Sequence, residues 1–293
     1  MNNSMSKNWV DCHFHLFNAG IAFPEARYIP QYSALFADWR IQSLKVGIQR
    51  GVMVQPSFLG TNNALLLVCL NTNPEVLRGV VVVSHEITLN ELQRMHQLGV
   101  RGIRLNLVGT AHQIPQWTAA DSLWENMSLL GWHLEVHTDR GELPNVLKQL
   151  PTTVPLVVDH MAKPLDAKAN DPSIVALLKR SKSAAVYVKL SGAYRLGQIS
   201  PKTTAEVLLQ ELGPDSLLWG SDWPCTNYEK FADFEQLIKD CYEWIGQTNT
   251  HTILDQNPTK LYWNELEIDT DQKATDLQKS RLVKSQHKST AYR

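Results

Sequence analysis

Short apolar segments alternate with helical patterns along most of the chain, and this alternation restricts the fold more than any other feature. The apolar segments predict strands over residues 9–14, 51–57, 78–84, 101–107, 132–137, 155–160, 186–191 and 216–222. Between them, Thr88 and Glu91 predict a capping box for a helix over 88–98. Further helices are predicted from Ser200 onward and over 231–245. Strands that alternate with helices in this way form parallel sheets.

The number of units favours a (β/α)8 TIM barrel, possibly distorted, over a doubly wound sheet. A dinucleotide-binding sheet needs a glycine-rich phosphate turn, and no predicted strand ends in GxGxxG or in a P-loop. The chain of 293 residues is long enough for one barrel of about 250 residues with extensions. We therefore predict a single barrel domain over residues 1–263 and a polar C-terminal tail over 264–293.

The overall charge and the apolar content exclude several classes of protein. The formal net charge is -1, which gives no basic surface for nucleic acid, and no apolar run is long enough to span a membrane. The N-terminus lacks the apolar segment of a secretory signal, so a cytoplasmic location is expected. The four cysteines are expected to be reduced packing residues, with Cys12, next to His13, facing away from the two histidines. The expected partner is a small soluble molecule, and the oligomeric state stays open.

Histidines and one aspartate lie at the ends of the predicted strands. His13 and His15 are two residues apart in the first strand and therefore share a face. His137, His160 and Asp222 end the fifth, sixth and eighth predicted strands. The carboxyl ends of barrel strands meet at one face, where the active site of such a barrel lies. The five side chains therefore predict one active site.

Four separated motifs resemble the amidohydrolase-2 family. They are the His-x-His pair, the DHM segment at 159–161, the GSDWP segment at 220–224 and the NPTKLY segment at 257–262. Within this family the chain is most similar to the group of 2-pyrone-4,6-dicarboxylate lactonase-like hydrolases, from about Trp9 to Trp263. The resemblance implies a barrel hydrolase that opens a lactone ring, in a group whose members differ in whether they need a metal.

Lactone hydrolysis divides the predicted site residues into two chemical roles. A water must lose a proton as it attacks, and the carbonyl oxygen must be stabilised as it becomes negative. Asp222 is the candidate general base because it is the carboxylate at a strand end. His13, His15 and His160 are then predicted to polarise the carbonyl, directly or through a metal.

Arginines at the strand ends indicate an acidic substrate. Burying a guanidinium is costly unless it meets an anion, and Arg104 and Arg195 each lie at the end of a predicted strand. By the resemblance, these two residues bind a substrate carboxylate. The other predicted substrate contacts are Ser57, Tyr28, Lys163 and His137. A solvated lysine and a packing tyrosine remain the alternatives for Lys163 and Tyr28.

The chain departs from the lactonase pattern at two positions. The resemblance predicts a second arginine where this chain has Thr110, so one carboxylate clamp is weakened and lactones with one carboxylate are expected to be preferred. His137 stands where the metal-free pattern has an aromatic hydroxyl and metal-using members have a histidine. A single zinc held by His13, His15, His137 and Asp222 is therefore the alternative to a metal-independent enzyme.

The fourth predicted strand favours the metal-independent alternative. It carries Arg104 where dinuclear relatives would place a bridging carboxylated lysine or glutamate, and a guanidinium repels a cation. Other classes stay open beside the carboxylated-lactone hydrolase: a metal-dependent decarboxylase and a sugar-lactone hydrolase of the same superfamily, and a barrel that only binds acids. Release of CO2 without ring opening distinguishes the decarboxylase, and loss of Asp222 would have been the sign of a binding protein.

Overall fold

The computed structural model describes residues 8–110 and 121–264. Its eight strands form one sheet in sequence order, and each pairs in parallel with the next. The strands are β1 (Trp9–Phe14), β2 (Ile48–Val54), β3 (Leu77–Val81), β4 (Val100–Asn106), β5 (His133–His137), β6 (Leu156–Val158), β7 (Val186–Leu190) and β8 (Leu217–Trp219). The helices of the described residues are α1 (Phe36–Lys45), α2 (Ala64–Thr72), α3 (Leu89–Gln97), α4 (Asp121–Leu129), α5 (Leu143–Leu147), α6 (Pro172–Ser181), α7 (Pro201–Leu212), α8 (Phe234–Ile245) and α9 (Asn257–Tyr262).

The sheet closes into a barrel through the segment that follows β8. Asp222 N donates a 2.8 Å hydrogen bond to His13 O, and His15 N donates one of 2.8 Å to Trp223 O. Gly220 permits this close approach, because a Cβ there would lie 2.6 Å from the Cβ of His13. The predicted (β/α)8 barrel is confirmed, and its closure brings Asp222 directly beside the His-x-His pair.

A bulge in β1 changes the direction of one predicted side chain. Asp11 pairs with Gly51 and Phe14 with Met53, so β1 uses one residue more than β2 over this stretch. Phe14 stacks on Trp39 of α1, whereas Cys12 packs with Val52 and other inward valines in a separate apolar cluster. The prediction that Cys12 faces away from the histidines is therefore wrong. The extra residue of the bulge turns it into the barrel.

The predicted strand boundaries agree with the structure to within three residues, but β6 and β8 end before His160 and Asp222, which lie in the segments that follow these strands. Thr88 caps α3 and forms the predicted capping box with Glu91. The helix predicted over 231–245 begins later, because the side chain of Asp233 caps it by accepting from Gln236 N, and Phe231 is 82% exposed. The predicted tail over 264–293 lies outside the described residues except for its first residue.

The last helix is attached to the barrel by a buried asparagine. Asn257 begins α9 without a capping hydrogen bond of its side chain. Its Nδ2 instead donates 2.8 Å hydrogen bonds to Pro214 O and Leu217 O, so the residue is structural through a tie to β8. Across the residues that the structure describes, no helix is both long and apolar enough to cross a membrane.

A half-buried histidine on α3 makes stability depend on pH. Trp132 Nε1 donates a 3.0 Å hydrogen bond to His96 Nδ1, which requires an unprotonated nitrogen there. Burial, reinforced by Arg101 and Arg78, lowers the pKa of His96 to about 4. In the unfolded chain the pKa returns to about 6.5, so the unfolded state binds the proton first. His96 therefore stabilises the fold above pH 6.5, and that contribution is lost as the pH falls toward 4.

We expect acidification from pH 7 to 5 to destabilise the wild type by about 1–2 kcal/mol more than a His96→Gln variant. Urea unfolding at both pH values measures this difference. His251→Gln, at an exposed histidine, is the matched control and should behave as the wild type. An equal loss in the wild type and in His96→Gln would contradict the assignment.

Candidate active site

A cavity of about 520 Å³ opens among residues that follow the carboxyl ends of the strands. Eight of the sequence-predicted residues line it: His15, Tyr28, Ser57, Arg104, His137, His160, Arg195 and Asp222. His13 is completely buried and contacts His15 and Asp222 from behind the lining. Lys163 also lies outside the lining. Residues from separate strands and loops are thus brought to one site.

Asp222 has two oxygens with different surroundings. Its Oδ2 accepts hydrogen bonds of 2.8 Å from Tyr194 Oη and of 2.8 Å from Arg195 Nε. Its Oδ1 is buried and accepts no hydrogen bond from a described residue. Burial by itself raises the pKa of this carboxyl, but the charge of the adjacent Arg195 guanidinium outweighs burial and holds the pKa well below its usual range. Asp222 is therefore an ionised carboxylate, and one of its oxygens has no hydrogen-bond partner among the described residues.

His13 of β1 and His15, which directly follows the strand, meet edge to face beside that oxygen. Their Nε2 atoms are 3.2 Å apart, and Asp222 Oδ1 lies 3.5 Å from His15 Nε2 and 3.7 Å from His13 Nε2. His15 Nδ1 lies 2.7 Å from the carbonyl oxygen of Val54, which fixes the proton of His15 on Nδ1. His15 Nε2 is consequently an acceptor that points at His13.

Behind His13 lies a fully buried ionic network. Lys189 Nζ contacts Glu135 Oε2, and it lies 3.1 Å from His13 Nδ1 and 3.5 Å from Asp159 Oδ1. Arg104 donates from Nε and Nη2 to Asp159 Oδ2, at 3.0 Å each. Sequence reasoning missed Glu135, Lys189 and Asp159. The available signal was a charged residue inside β5 and inside β7, and an aspartate directly before His160.

His160 is presented to the cavity by a strained turn. Residues 160–163 all have positive φ values between 42° and 62°, a left-handed conformation that costs about 1 kcal/mol or more for each non-glycine residue. Gly192 allows the imidazole to fit, because a Cβ there would lie 2.6 Å from His160 Nδ1. That nitrogen lies 3.0 Å from Ser191 Oγ. Burial lowers the pKa of His160 to about 3, so the ring is neutral near pH 7.

His137 adds a second neutral imidazole to the same wall. Its ring lies 4.4 Å from that of His160, and its Nδ1 is 3.4 Å from Arg104 Nη2. Burial lowers the pKa of His137 well below its usual range. Its Nε2 is buried and has no hydrogen-bond partner among the described residues. An Nε2–H at this position would be a buried donor, without a partner among the described residues, on a residue that lines the cavity.

The residues present also fit one divalent cation. Zinc bonds of about 2.0–2.2 Å to nitrogen and oxygen in a tetrahedron place ligand atoms roughly 3.3 Å apart. His13 Nε2, His15 Nε2 and Asp222 Oδ1 are 3.2, 3.5 and 3.7 Å apart and belong to one possible ligand group. His137, predicted as a fourth ligand, belongs to neither of the possible groups found among the described residues.

Comparison with known proteins decides which superfamily this barrel and site belong to. The chain matches the amidohydrolase family over residues 10–263. It is 31% identical to the 2-pyrone-4,6-dicarboxylate hydrolase of Comamonas testosteroni, with 87% of this chain and 90% of the relative covered. The chain belongs to the amidohydrolase family.

Two further relatives of this amidohydrolase share most of its length. The 4-sulfomuconolactone hydrolase of Hydrogenophaga intermedia is 26% identical, with 86% of this chain and 88% of the relative covered. The crystal structure of a probable 2-pyrone-4,6-dicarboxylic acid hydrolase from Acinetobacter baumannii, with citric acid bound, has a TM-score of 0.77. It is 31% identical and the match covers 87% of this chain and 99% of that chain.

The amidohydrolase site differs from the sequence expectation in how its arginines are held. Arg104 and Arg195 line the cavity, but each already forms an ion pair, with Asp159 and Asp222 respectively. Tyr194, which precedes Arg195, was missed as a partner of Asp222. Burial lowers the pKa of Lys163 to about 8, although the residue lies outside the lining.

Proposed function

We propose that this amidohydrolase hydrolyses the ring of a small lactone that carries an acidic group, with Asp222 as the general base for the attacking water. The observation that carries the proposal is the free Oδ1 of Asp222. It is a buried carboxylate oxygen of a cavity-lining residue, it accepts no hydrogen bond from a described residue, and its partner oxygen is held by Tyr194 and Arg195. A water is the natural donor to such an oxygen.

The names of the relatives and the charges of the cavity both support an acidic lactone. The relatives from Comamonas testosteroni and Hydrogenophaga intermedia are named for 2-pyrone-4,6-dicarboxylate and 4-sulfomuconolactone, which both carry acidic groups. The Acinetobacter baumannii structure holds citric acid. In this chain the cavity is lined by Arg27, Arg104 and Arg195, whose guanidinium groups suit carboxylates.

The proposed reaction divides among the lining residues. Asp222 takes a proton from the water as the water oxygen adds to the lactone carbonyl carbon. His160, His137 and Arg104 lie on the cavity wall to stabilise the negative carbonyl oxygen. The ring C–O bond then breaks, and the leaving oxygen takes the proton back from Asp222. The products are one new carboxylic acid and one hydroxyl group on the opened ring.

One tautomer of His13 supports a metal-independent site. In it, His13 Nδ1 accepts from Lys189, His13 Nε2–H donates to His15 Nε2, and His15 Nδ1–H donates to Val54 O. In this arrangement every ring nitrogen of the pair has a partner. The lone pair of His13 Nε2 that a metal needs is then replaced by a proton, because Lys189 selects the tautomer.

The opposite tautomer of His13 would admit a metal. Its Nδ1–H would then donate to Asp159 Oδ1, 3.1 Å away, as carboxylate partners of metal-bound histidines do. His13, His15 and Asp222 would hold the ion. A bound zinc would supply a water of lowered pKa and polarise the carbonyl.

A substrate panel tests the proposed function and the metal requirement together. Protein dialysed against a chelator and protein supplied with zinc are each mixed with 2-pyrone-4,6-dicarboxylate, muconolactone and a neutral sugar lactone. We expect the acidic lactones to be opened by the dialysed protein at the rate of the zinc-supplied one. Turnover of the sugar lactone alone would contradict the substrate class. Turnover that appears only with zinc would contradict metal independence.

A further inference from the structure

We propose that Arg27, on the loop after β1, is a second acid-binding residue of the cavity and that it selects lactones with two acidic groups. This inference rests on the proposed function and deepens it. The resemblance predicts a weakened clamp at Thr110, and the structure places a different guanidinium beside that residue.

The two deeper arginines of the cavity each share their charge with an aspartate. Both Arg104 contacts to Asp159 Oδ2 are 3.0 Å long, and Arg195 lies 2.8 Å from Asp222 Oδ2. Arg27 also lines the cavity, it is exposed, and it has no ion pair with any residue in 8–110 or 121–264. A substrate with two acidic groups brings two negative charges into this space. Arg27 is the cavity arginine whose charge is available to the second group.

The guanidinium of Arg27 packs against Gly109, on the loop after β4. Gly109 has a φ of +68°, and a Cβ at this residue would lie 2.1 Å from Arg27 Nη1. Any side chain at position 109 would therefore displace the guanidinium. Gly109 N donates a 2.7 Å hydrogen bond to Asp139 Oδ2, and this bond attaches the backbone of Gly109 to the loop after β5.

Thr110 directly follows Gly109 and also lines the cavity. Its hydroxyl donates a 2.7 Å hydrogen bond to Leu107 O, so its side chain is engaged with its own loop. The loop after β1 therefore places the guanidinium of Arg27 next to Thr110 in the cavity wall. In the proposal, Arg27 binds the second acidic group in place of the arginine that the resemblance predicts at position 110.

The loop that carries Arg27 is attached at several points. Phe17 and Ala34 pair through backbone hydrogen bonds of 3.1 and 2.9 Å, and Phe23 N donates a 2.9 Å hydrogen bond to Phe58 O. Ala26 N, directly before Arg27, donates a 3.0 Å hydrogen bond to Phe23 O. A binding group on a loop that is already ordered loses less entropy when the ligand binds.

The ratio of kcat/KM for 2-pyrone-4,6-dicarboxylate to kcat/KM for a lactone with one carboxylate tests the inference. In Arg27→Gln we expect this ratio to fall about ten- to a hundredfold, mainly through KM, because one charge-assisted contact to the second carboxylate is lost. Arg94→Gln, at an exposed arginine of α3 outside the cavity lining, is the control and should keep the wild-type ratio. Adding Thr110→Arg to Arg27→Gln should restore part of the loss from the neighbouring position.

The outcomes separate this inference from the proposed function. If Arg27→Gln opens both lactones with the wild-type ratio, Arg27 is not an acid-binding residue, while the proposed function stands. If the wild type opens neither lactone, the proposed function fails and citrate binding measured by calorimetry takes over as the readout. A citrate Kd at least tenfold higher in Arg27→Gln than in the wild type supports the acid-binding role, and an equal Kd overturns it.

Discussion

Asp222→Asn is expected to fold normally and to lose about 10²–10⁴-fold in kcat for an acidic lactone. An amide oxygen can still accept the hydrogen bonds from Tyr194 and Arg195, so the side chain should keep its place. It cannot take a proton from water, and this loss removes the base without removing the cavity. Steady-state kinetics with circular dichroism and thermal unfolding of both proteins measure the two effects separately.

Tyr194→Phe is the matched control for Asp222→Asn. It removes one hydrogen bond to Oδ2 and leaves the carboxylate and its Arg195 contact. Loss of one such hydrogen bond costs about 1 kcal/mol, so kcat should fall by roughly tenfold or less. A folded Asp222→Asn protein with a kcat near that of the wild type would remove Asp222 from the role of base.

Replacing Lys189 by methionine together with Glu135 by glutamine is expected to raise the affinity for zinc about 10- to 100-fold. Without the ammonium group, His13 Nδ1 can only donate, and Asp159 Oδ1 lies 3.1 Å away to accept. The proton then leaves His13 Nε2, which faces His15 and Asp222 as a free ligand atom. Zinc content after dialysis and competition with a coloured chelator measure the change.

The double replacement is needed because Lys189 and Glu135 are both completely buried. Removing Lys189 alone leaves a buried carboxylate without its partner and should cost about 3–5 kcal/mol of folding free energy. The double variant avoids that unpaired charge. Asp159→Asn added to it removes the acceptor for His13 and should cancel the gain in zinc affinity. Equal zinc affinity in the wild type and the double variant would contradict tautomer selection by Lys189.

The meeting of His13 and His15 with Asp222 could be predicted from sequence because barrel geometry brings strand ends together. Alternation within β1 placed His13 and His15 on one face, and the structure has their Nε2 atoms 3.2 Å apart. The same alternation failed for Cys12, because a bulge inserts one residue between Asp11 and Phe14. A bulge depends on pairing with β2, which local sequence does not show.

The contacts that surround the predicted residues could not be predicted in the same way. Lys189, Glu135 and Asp159 come from three strands or strand ends, and their pairing depends on the barrel register. Arg27 reaches the cavity through the path of a loop, which no periodicity describes. Sequence therefore located the candidate site residues, whereas their buried charged partners depend on the assembled barrel.

Hydrolysis in H₂¹⁸O followed by mass spectrometry tests the central claim most directly. The wild type and Asp222→Asn are each incubated, after dialysis against a chelator, with 2-pyrone-4,6-dicarboxylate. Ring opening by water predicts that the wild-type product gains the mass of one water molecule with one ¹⁸O in the new carboxyl group, and that Asp222→Asn forms far less of it. A product that has lost CO2 with the ring intact and no ¹⁸O incorporated would contradict lactone hydrolysis at this site.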